Sequence, residues 1–244
     1  MEDNKIPKII HFCWFGKGKK TKVERKCIKS WKKYAPSFEI IEWNEDNFDV
    51  KNNVPFVLET YSLKKYGFLA DYLRLWALYN YGGIYLDTDI ELIDDIDNIL
   101  NDNSCFFGFE NKEYIASAIL GSSKGNPVIK KLLDYYSIFH FDENKMHSIT
   151  APRVWTPFLC EYGIIPNGVY QKNDYLTVYP SDYFFPKQPY ITKEGFVRWK
   201  TIITENTVCI HHFLGSWLPK KTLIRKVKSF IYLTKCKLGI IKVK

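Results

Sequence analysis

The distribution of apolar and polar positions divides the chain into short apolar runs and longer stretches of helical spacing. Residues 6–15 form a run rich in β-branched and aromatic side chains, closed by Gly16-Lys17-Gly18, and predict a first buried strand. Val23, Cys27, Ile28, Trp31 and Tyr34 then recur at helical spacing up to Ala35-Pro36, so a helix is expected over 23–34. Residues 38–43 read as a second strand. Residues 55–81 predict two helical stretches broken near Gly67 and stopped by Gly82-Gly83, since glycine adopts the left-handed conformation favoured at a helix end. Ile84-Tyr85-Leu86 follows as a short strand that runs straight into Asp87. Further strands are expected at 105–109, 115–120, 176–179 and 207–213, with helices at 127–136 and 153–162. Alternation of strands and helices implies an α/β fold with a largely parallel sheet between helical layers.

Length and composition add limits to this picture. A chain of 244 residues with 46% hydrophobic content buries one full core, so a single catalytic unit over 1–218 is expected. The net charge of +8 is not spread evenly. Residues 219–244 hold nine basic residues and no acidic one, which leaves the rest of the chain near neutral. Within that tail Leu223, Ile224, Val227, Phe230, Ile231, Thr234 and Leu238 share one helical arc, the pattern of a basic amphipathic helix suited to an anionic membrane surface. Aromatic residues are not interleaved with the basic ones as RNA binders require, so nucleic acid is not an expected partner. The six cysteines show no CxxC pair and no clustering, which indicates neither a zinc site nor a disulfide framework. The polar N-terminus and the lack of a spanning apolar run lead to the expectation of a cytoplasmic protein, soluble or peripheral on the inner face of the cell membrane.

The candidate chemistry lies in Tyr85-Leu86-Asp87-Thr88-Asp89. In an extended segment side chains alternate faces, so Asp87 and Asp89 are expected to point the same way. Two carboxylates on one face form a hard-oxygen site for Mn²⁺ or Mg²⁺ together with phosphate oxygens. At the carboxyl end of a strand, such a pair sits where open α/β sheets bind ligands. Upstream, Asp71 and Arg74 are three residues apart in a predicted helix and therefore share a face.

These residues resemble a known family. Ala70-Asp71-Tyr72-Leu73-Arg74-Leu75, followed by residues 78–89 through Gly82-Gly83 to Asp87-Thr88-Asp89, resembles the DxD signature of family 32 glycosyltransferases, and is similar to the glucosyltransferase domain of large clostridial toxins. Ile10-His11-Phe12-Cys13-Trp14-Phe15-Gly16 resembles the first strand of the same families. The resemblance implies a GT-A type fold, a Rossmann-like mixed sheet flanked by helices, and a nucleotide-sugar donor. It makes Trp14 the platform for the donor base, with Phe12, Cys13 and Tyr85 beside the donor. It further implies that Asp71 and Arg74 hold the donor sugar and diphosphate, that Asp87 touches ribose or sugar hydroxyls, and that Asp89 binds the metal. His211-His212-Phe213-Leu214-Gly215-Ser216-Trp217 is similar to a late His-Phe-x-Gly block of related retaining enzymes. By that pattern His212 is the favoured third metal ligand, His211 being the other candidate, and Gly215, Ser216 and Trp217 border the donor. Thr150-Ala151-Pro152 partly matches a Thr-Gly-Pro element on the acceptor side.

The activity implied is retaining, metal-dependent transfer of a sugar from a UDP-linked donor to a glycan or lipid-linked acceptor in surface polysaccharide synthesis. Front-face displacement is favoured, because no residue announces itself as the nucleophile of a double displacement. Two alternatives stand beside it. Asp87-Thr88-Asp89 superficially resembles the nucleophile motif of haloacid-dehalogenase-type phosphatases, although those place it on the first strand and prefer Thr or Val where Glu91 stands. The other is a non-catalytic, nucleotide-binding, membrane-associated protein.

Overall fold

The computed structural model describes residues 5–100, 103–192 and 197–215. The elements run β1 (Ile9–Cys13), α1 (Lys22–Tyr34), β2 (Glu39–Trp43), α2 (Pro55–Ser62), α3 (Tyr66–Tyr81), β3 (Gly83–Leu86), β4 (Ile90–Leu92), α4 (Asp97–Leu100), β5 (Cys105–Gly108) and β6 (Ile119–Ser122). They continue with α5 (Pro127–Ile138), α6 (Ala151–Cys160), β7 (Gln171–Lys172), β8 (Thr177–Tyr179), α7 (Ser181–Phe184), β9 (Lys187–Ile191), β10 (Val197–Thr201) and β11 (Cys209–His211). Seven strands form one sheet in the order β2-β1-β3-β6-β5-β8-β7, and β10-β9 and β11-β4 form two separate ribbons.

The sheet is mixed. β1 runs parallel to β2 and β3, and β5 runs parallel to β8, while β6 lies antiparallel between β3 and β5. An antiparallel strand inserted between two others leaves those two pointing the same way. The carboxyl ends of β1, β3, β5 and β8 therefore share one edge with the start of β6, and this edge carries the candidate site. The mixed sheet implied by the resemblance is what is found: β6 and β7 run against the other five strands, a reversal that sequence patterning alone does not reveal.

Strand alternation feeds a core on each face. Ile10, Phe12, Ile84, Leu86, Phe106 and Ile119 pack with Trp31 of α1, whose indole donates to Ile90 O at 2.8 Å. Tyr85, Phe107 and Leu120 point the other way and pack with α2, α3, α5 and α6 through Phe56, Leu73, Leu132 and Trp155. The α3–β3 turn is fastened tightly to β1. Gly82 ends α3 with φ 69°, its amide bonding to Leu78 O. A Cβ at Gly83 would lie 2.5 Å from Ile9 O, a separation that real side chains do not reach.

Other differences from the sequence reading are local. The break between α2 and α3 falls at Leu63–Lys65, where Lys64 takes φ 56°, and Gly67 is inside α3. The stretch expected as a strand over 207–213 is regular only at Cys209–His211 and pairs with β4, outside the main sheet. The β9–β10 hairpin has no counterpart in the predicted elements. The basic tail, 219–244, lies outside the described residues, as do Ser216 and Trp217. Among the described residues no helix is long and apolar enough to cross a membrane.

His11 is the buried hinge of the β1–α3 contact. Its Nε2 bonds Gly82 O at 2.8 Å, and its Nδ1 accepts from the Trp43 indole at 3.1 Å. That pair of bonds requires the neutral ring, and burial lowers its pKa to about 4 although the Gly82 carbonyl acts in the opposite direction. A depressed histidine contributes stability above its unfolded pKa near 6.5 that is lost as pH falls toward about 4, a linkage worth roughly 3 kcal/mol. Urea unfolding between pH 7 and 4 should therefore show a steep loss of stability, and His11→Gln, less stable at neutral pH, should flatten it. An unchanged slope would assign the loss to other groups.

Candidate active site

The site begins with Arg74, a cation held almost wholly out of solvent on the middle of α3. Its Nε donates to Ala70 O at 3.0 Å, and its Nη1 donates to the Ser117 carbonyl. Nη2 lies 3.0 Å from Asp71 and 3.4 Å from Asp87. The guanidinium also stacks over the Tyr85 ring, 4.6 Å from its centroid. Burial works against the charge, but the surrounding negative groups, Asp87 foremost, raise the pKa of Arg74 above its ordinary value. Asp71 shows the opposite balance: burial pushes its carboxyl up to about 7, further than Arg74 pulls it down.

Asp87 and Asp89 converge, though not by the pleat of an extended strand. β3 ends at Leu86, and Asp87 to Asp89 form a turn closed by Ile90 N bonding Asp87 O at 2.9 Å. The turn brings both carboxylates to one side, beside His211, with ligand atoms of all three residues within 4.8 Å of one another. Burial raises the Asp87 carboxyl, while Arg74 and His211 oppose the rise and Asp89 adds to it. Burial acts on Asp89 as well, but His211 Nε2 at 3.3 Å and the Leu214 amide at 2.8 Å outweigh it, and the carboxyl sits below its usual range.

His212, the favoured ligand on sequence grounds, points elsewhere. Its Nε2 bonds Glu91 Oε2 at 2.8 Å, and the other Glu91 oxygen meets Lys26 Nζ at 2.6 Å. The β4–β11 register sets Ile210 opposite Glu91 and so puts His212 on the Glu91 face, while the neighbouring His211 turns the other way and meets Asp89, which lies in the turn before β4 and escapes the strand's alternation. The correction from His212 to His211 follows from that register.

An open cavity of about 860 Å³ surrounds these groups. Cys13, Trp14, Asp71, Arg74, Tyr85, Asp87, Asp89, His211 and Gly215 line it, and Thr150, Ala151 and Pro152 border it from the start of α6. Trp14 is fixed by its indole bond to Gly18 O at 2.6 Å and by Lys20 over its ring. Burial pushes the Cys13 thiol up to about 12, so it stays protonated. Phe12 is not in the lining. Strand alternation turns it into the opposite core, edge-on to Trp31 with centroids 5.3 Å apart. Glu110, which sequence reasoning passed over, does line the cavity. A glutamate two residues past a strand carries no signal until the strands are ordered in space.

The donor set fits a divalent cation. Bonds of about 2.1 Å place opposite ligands about 4.2 Å apart, close to the spread of the Asp87, Asp89 and His211 atoms. Among the described residues His211 Nδ1 is buried without a hydrogen-bond partner. Two carboxylate oxygens and one imidazole are a set that Mn²⁺ accepts.

Residues 21–106 match the glycosyltransferase sugar-binding region containing the DXD motif. Over that segment, about a third of its length, the chain is similar to the DXD-containing glycosyltransferases. The matched segment contains Asp71, Arg74, Asp87 and Asp89, whereas Trp14, Glu110 and His211 lie outside it. Inositol phosphoceramide mannosyltransferase 3 of Schizosaccharomyces pombe (strain 972 / ATCC 24843) is 29% identical over 157 residues, 60% of this chain and 43% of that protein. Mannosyl phosphorylinositol ceramide synthase CSH1 of Saccharomyces cerevisiae (strain ATCC 204508 / S288c) is 27% identical over 145 residues, 57% of this chain and 37% of its own length. The matches span less than half the length of either relative. Among solved structures, PaToxG glycosyltransferase shares the fold, with a TM-score of 0.54 at 20% identity over 65% of this chain and 69% of that one.

The buried triad makes a stability prediction independent of catalysis. Arg74→Met leaves Asp71 and Asp87 without their cation and should cost roughly 3–5 kcal/mol in urea unfolding, as breaking a buried ion pair does. Adding Asp71→Asn to that variant should recover part of the loss. A cost under about 1 kcal/mol would mean the pair behaves as an exposed one.

Proposed function

We propose that this protein is a metal-dependent glycosyltransferase that moves a hexose, of the mannosyl type, from a nucleoside diphosphate to a hydroxyl of a glycan or lipid-linked acceptor. One observation carries the reading: Asp87, Asp89 and His211 converge beside the Asp71–Arg74 pair on the floor of one large cavity. Mn²⁺ or Mg²⁺ bound there by Asp87, Asp89 and His211 would supply charge neutralisation for the leaving diphosphate. Arg74, fixed by four polar contacts and a stacked ring, presents positive charge on the same side without reorganising. Trp14 offers a held aromatic face at the neighbouring strand end, which suits the donor base. The mannosyl assignment and the lipid-bearing acceptor draw support from the names of the two curated relatives. Retention of configuration by front-face displacement remains the favoured course, with the departing phosphate taking the acceptor proton.

Titration with Mn²⁺ and assays of GDP-mannose and UDP-glucose hydrolysis test the reading. Asp89→Ala should weaken Mn²⁺ binding by more than roughly a hundredfold and abolish hydrolysis while the fold survives, since even outer-sphere changes cost 10–100-fold. Full hydrolysis in the presence of chelator would remove the metal from the mechanism.

The basic run over 219–244 further supports action at an anionic membrane surface, where a lipid-linked acceptor resides. Flotation with phosphatidylserine vesicles should carry the full chain upward and leave a chain ending at 218 behind. Equal flotation of the two would separate the tail from membrane binding.

A further inference from the structure

Five carboxylates line the cavity, and four have their charge satisfied within the protein. Glu24 accepts from the Thr21 amide at the start of α1, Asp71 and Asp87 share Arg74, and Asp89 takes His211 and the Leu214 amide. Glu110 is the fifth. It is half-buried, and among the described residues its side chain has no hydrogen-bond or ion-pair partner. It also stands outside the Asp87–Asp89–His211 group.

Its surroundings are nonetheless built. The Glu110 amide bonds Tyr114 O at 2.9 Å, Phe109 pairs with Ile115, and Asn111 Oδ1 accepts from the Glu113 and Tyr114 amides to lock the intervening turn. Arg153 pins the Tyr114 ring from the far side, its Nη1 donating to the Tyr114 hydroxyl at 3.2 Å.

Position along the sheet edge gives this carboxylate its meaning. Trp14 follows β1, Asp87 follows β3, and Glu110 stands two residues past β5, with β6 between β3 and β5. Neighbouring strands lie about 4.8 Å apart, so the backbone at Glu110 stands about 10 Å across the sheet from that at Asp87, on the side away from Trp14, with its carboxylate near enough to His211 for the two to interact electrostatically. A donor whose base lies on Trp14 and whose diphosphate lies at Asp87 and Asp89 therefore directs its sugar toward Glu110. An unpaired carboxylate repels a phosphate and demands hydrogen-bond donors, and the donors at that end of such a substrate are hydroxyls.

Building on the donor orientation above, we propose that Glu110 is a substrate-binding residue that accepts a hydrogen bond from a sugar hydroxyl at the reacting end of the cavity, belonging either to the transferred sugar or to the acceptor. Glu110→Ala and Glu110→Gln test it against the wild type in three arms, all with Mn²⁺: affinity for GDP, affinity for GDP-mannose, and transfer from GDP-mannose to methyl α-mannoside. GDP affinity should stay within about twofold. Glu110→Ala should lose roughly tenfold, the worth of one charged hydrogen bond, in GDP-mannose affinity if the transferred sugar is held, or in acceptor KM if the acceptor is held. Glu110→Gln, which keeps an accepting oxygen, should recover part of either loss. Three results overturn the inference: no change in either sugar arm, an equal fall in all three arms, or a Glu110→Gln variant that binds both ligands normally yet turns nothing over, which would make the carboxylate a nucleophile. A wild-type protein that binds neither GDP nor GDP-mannose would bring down the glycosyltransferase reading itself, a result separate from these three.

Discussion

The site depends on one buried cation. Arg74 is carried by a helix whose other side chains are mostly apolar, and it meets carboxylates from its own helix and from the end of β3. Withdrawing a guanidinium from water is costly, and the cost is met only because Ala70 O, Ser117 O, Asp71, Asp87 and the Tyr85 ring converge on it. That convergence ties α3, β3 and the approach to β6 to one point. Asp87 is consequently placed by electrostatics as well as by backbone, and Asp89 follows two residues later in the same closed turn. The balance of charge also bears on ligand choice. One buried cation shared by two carboxylates, beside a third whose carboxyl is held below its usual range, leaves the floor of the cavity negative, a setting that suits a divalent cation.

The second support comes from far along the chain. β11 pairs with β4 directly after the aspartate turn, so residues 209–215 are laid across Asp89. His212 N bonds Asp89 O, Leu214 N bonds the Asp89 carboxylate, and His211 Nε2 reaches its other oxygen. On the outer side His212 bonds Glu91, and Lys187 donates to the His212 carbonyl at 3.2 Å. Burial alone would raise the Glu91 carboxyl, but Lys26 and His212 hold it below its usual range. The two adjacent histidines thus divide the work, one facing the cavity and the other clamping the ribbon from behind.

How far the sequence discloses this arrangement depends on the distance over which each feature is set. Helical spacing and glycine stops are local, and α1, α3 and the end of α3 at Gly82 stand within a residue or two of where patterning puts them. The Asp71–Arg74 contact is equally local, being one helical step. The choice between His211 and His212 is not: it is fixed by register against β4, over a hundred residues away, and nothing in the run His211-His212 encodes it. Phe12 was misassigned for a related reason, since a block likeness covers both faces of a strand whereas the cavity takes only one. The pairing of Asp87 with Asp89 was anticipated, but the backbone that produces it is a turn and not an extended strand. Strand direction, and with it the place of Glu110, emerges only when β6 is found lying antiparallel between β3 and β5.

That single reversed strand has a consequence for how the cavity is divided. Had β5 paired directly with β3, the group following β5 would stand about 5 Å from the aspartates, near enough to enter their ligand sphere. With β6 between them, the backbone separation doubles to about 10 Å. The segment that matches the family model, 21–106, holds Arg74 and the carboxylates gathered round it. Trp14 precedes it, and Glu110, Tyr114, Arg153 and residues 211–215 follow it, so much of the cavity lining, His211 of the Asp87–Asp89 cluster included, comes from outside that segment. A fold arranged in this way can hold the Arg74 cluster fixed while the cavity around it varies, because Trp14, Glu110, Tyr114 and residues 212–215 lie on connecting segments whose changes leave that cluster untouched.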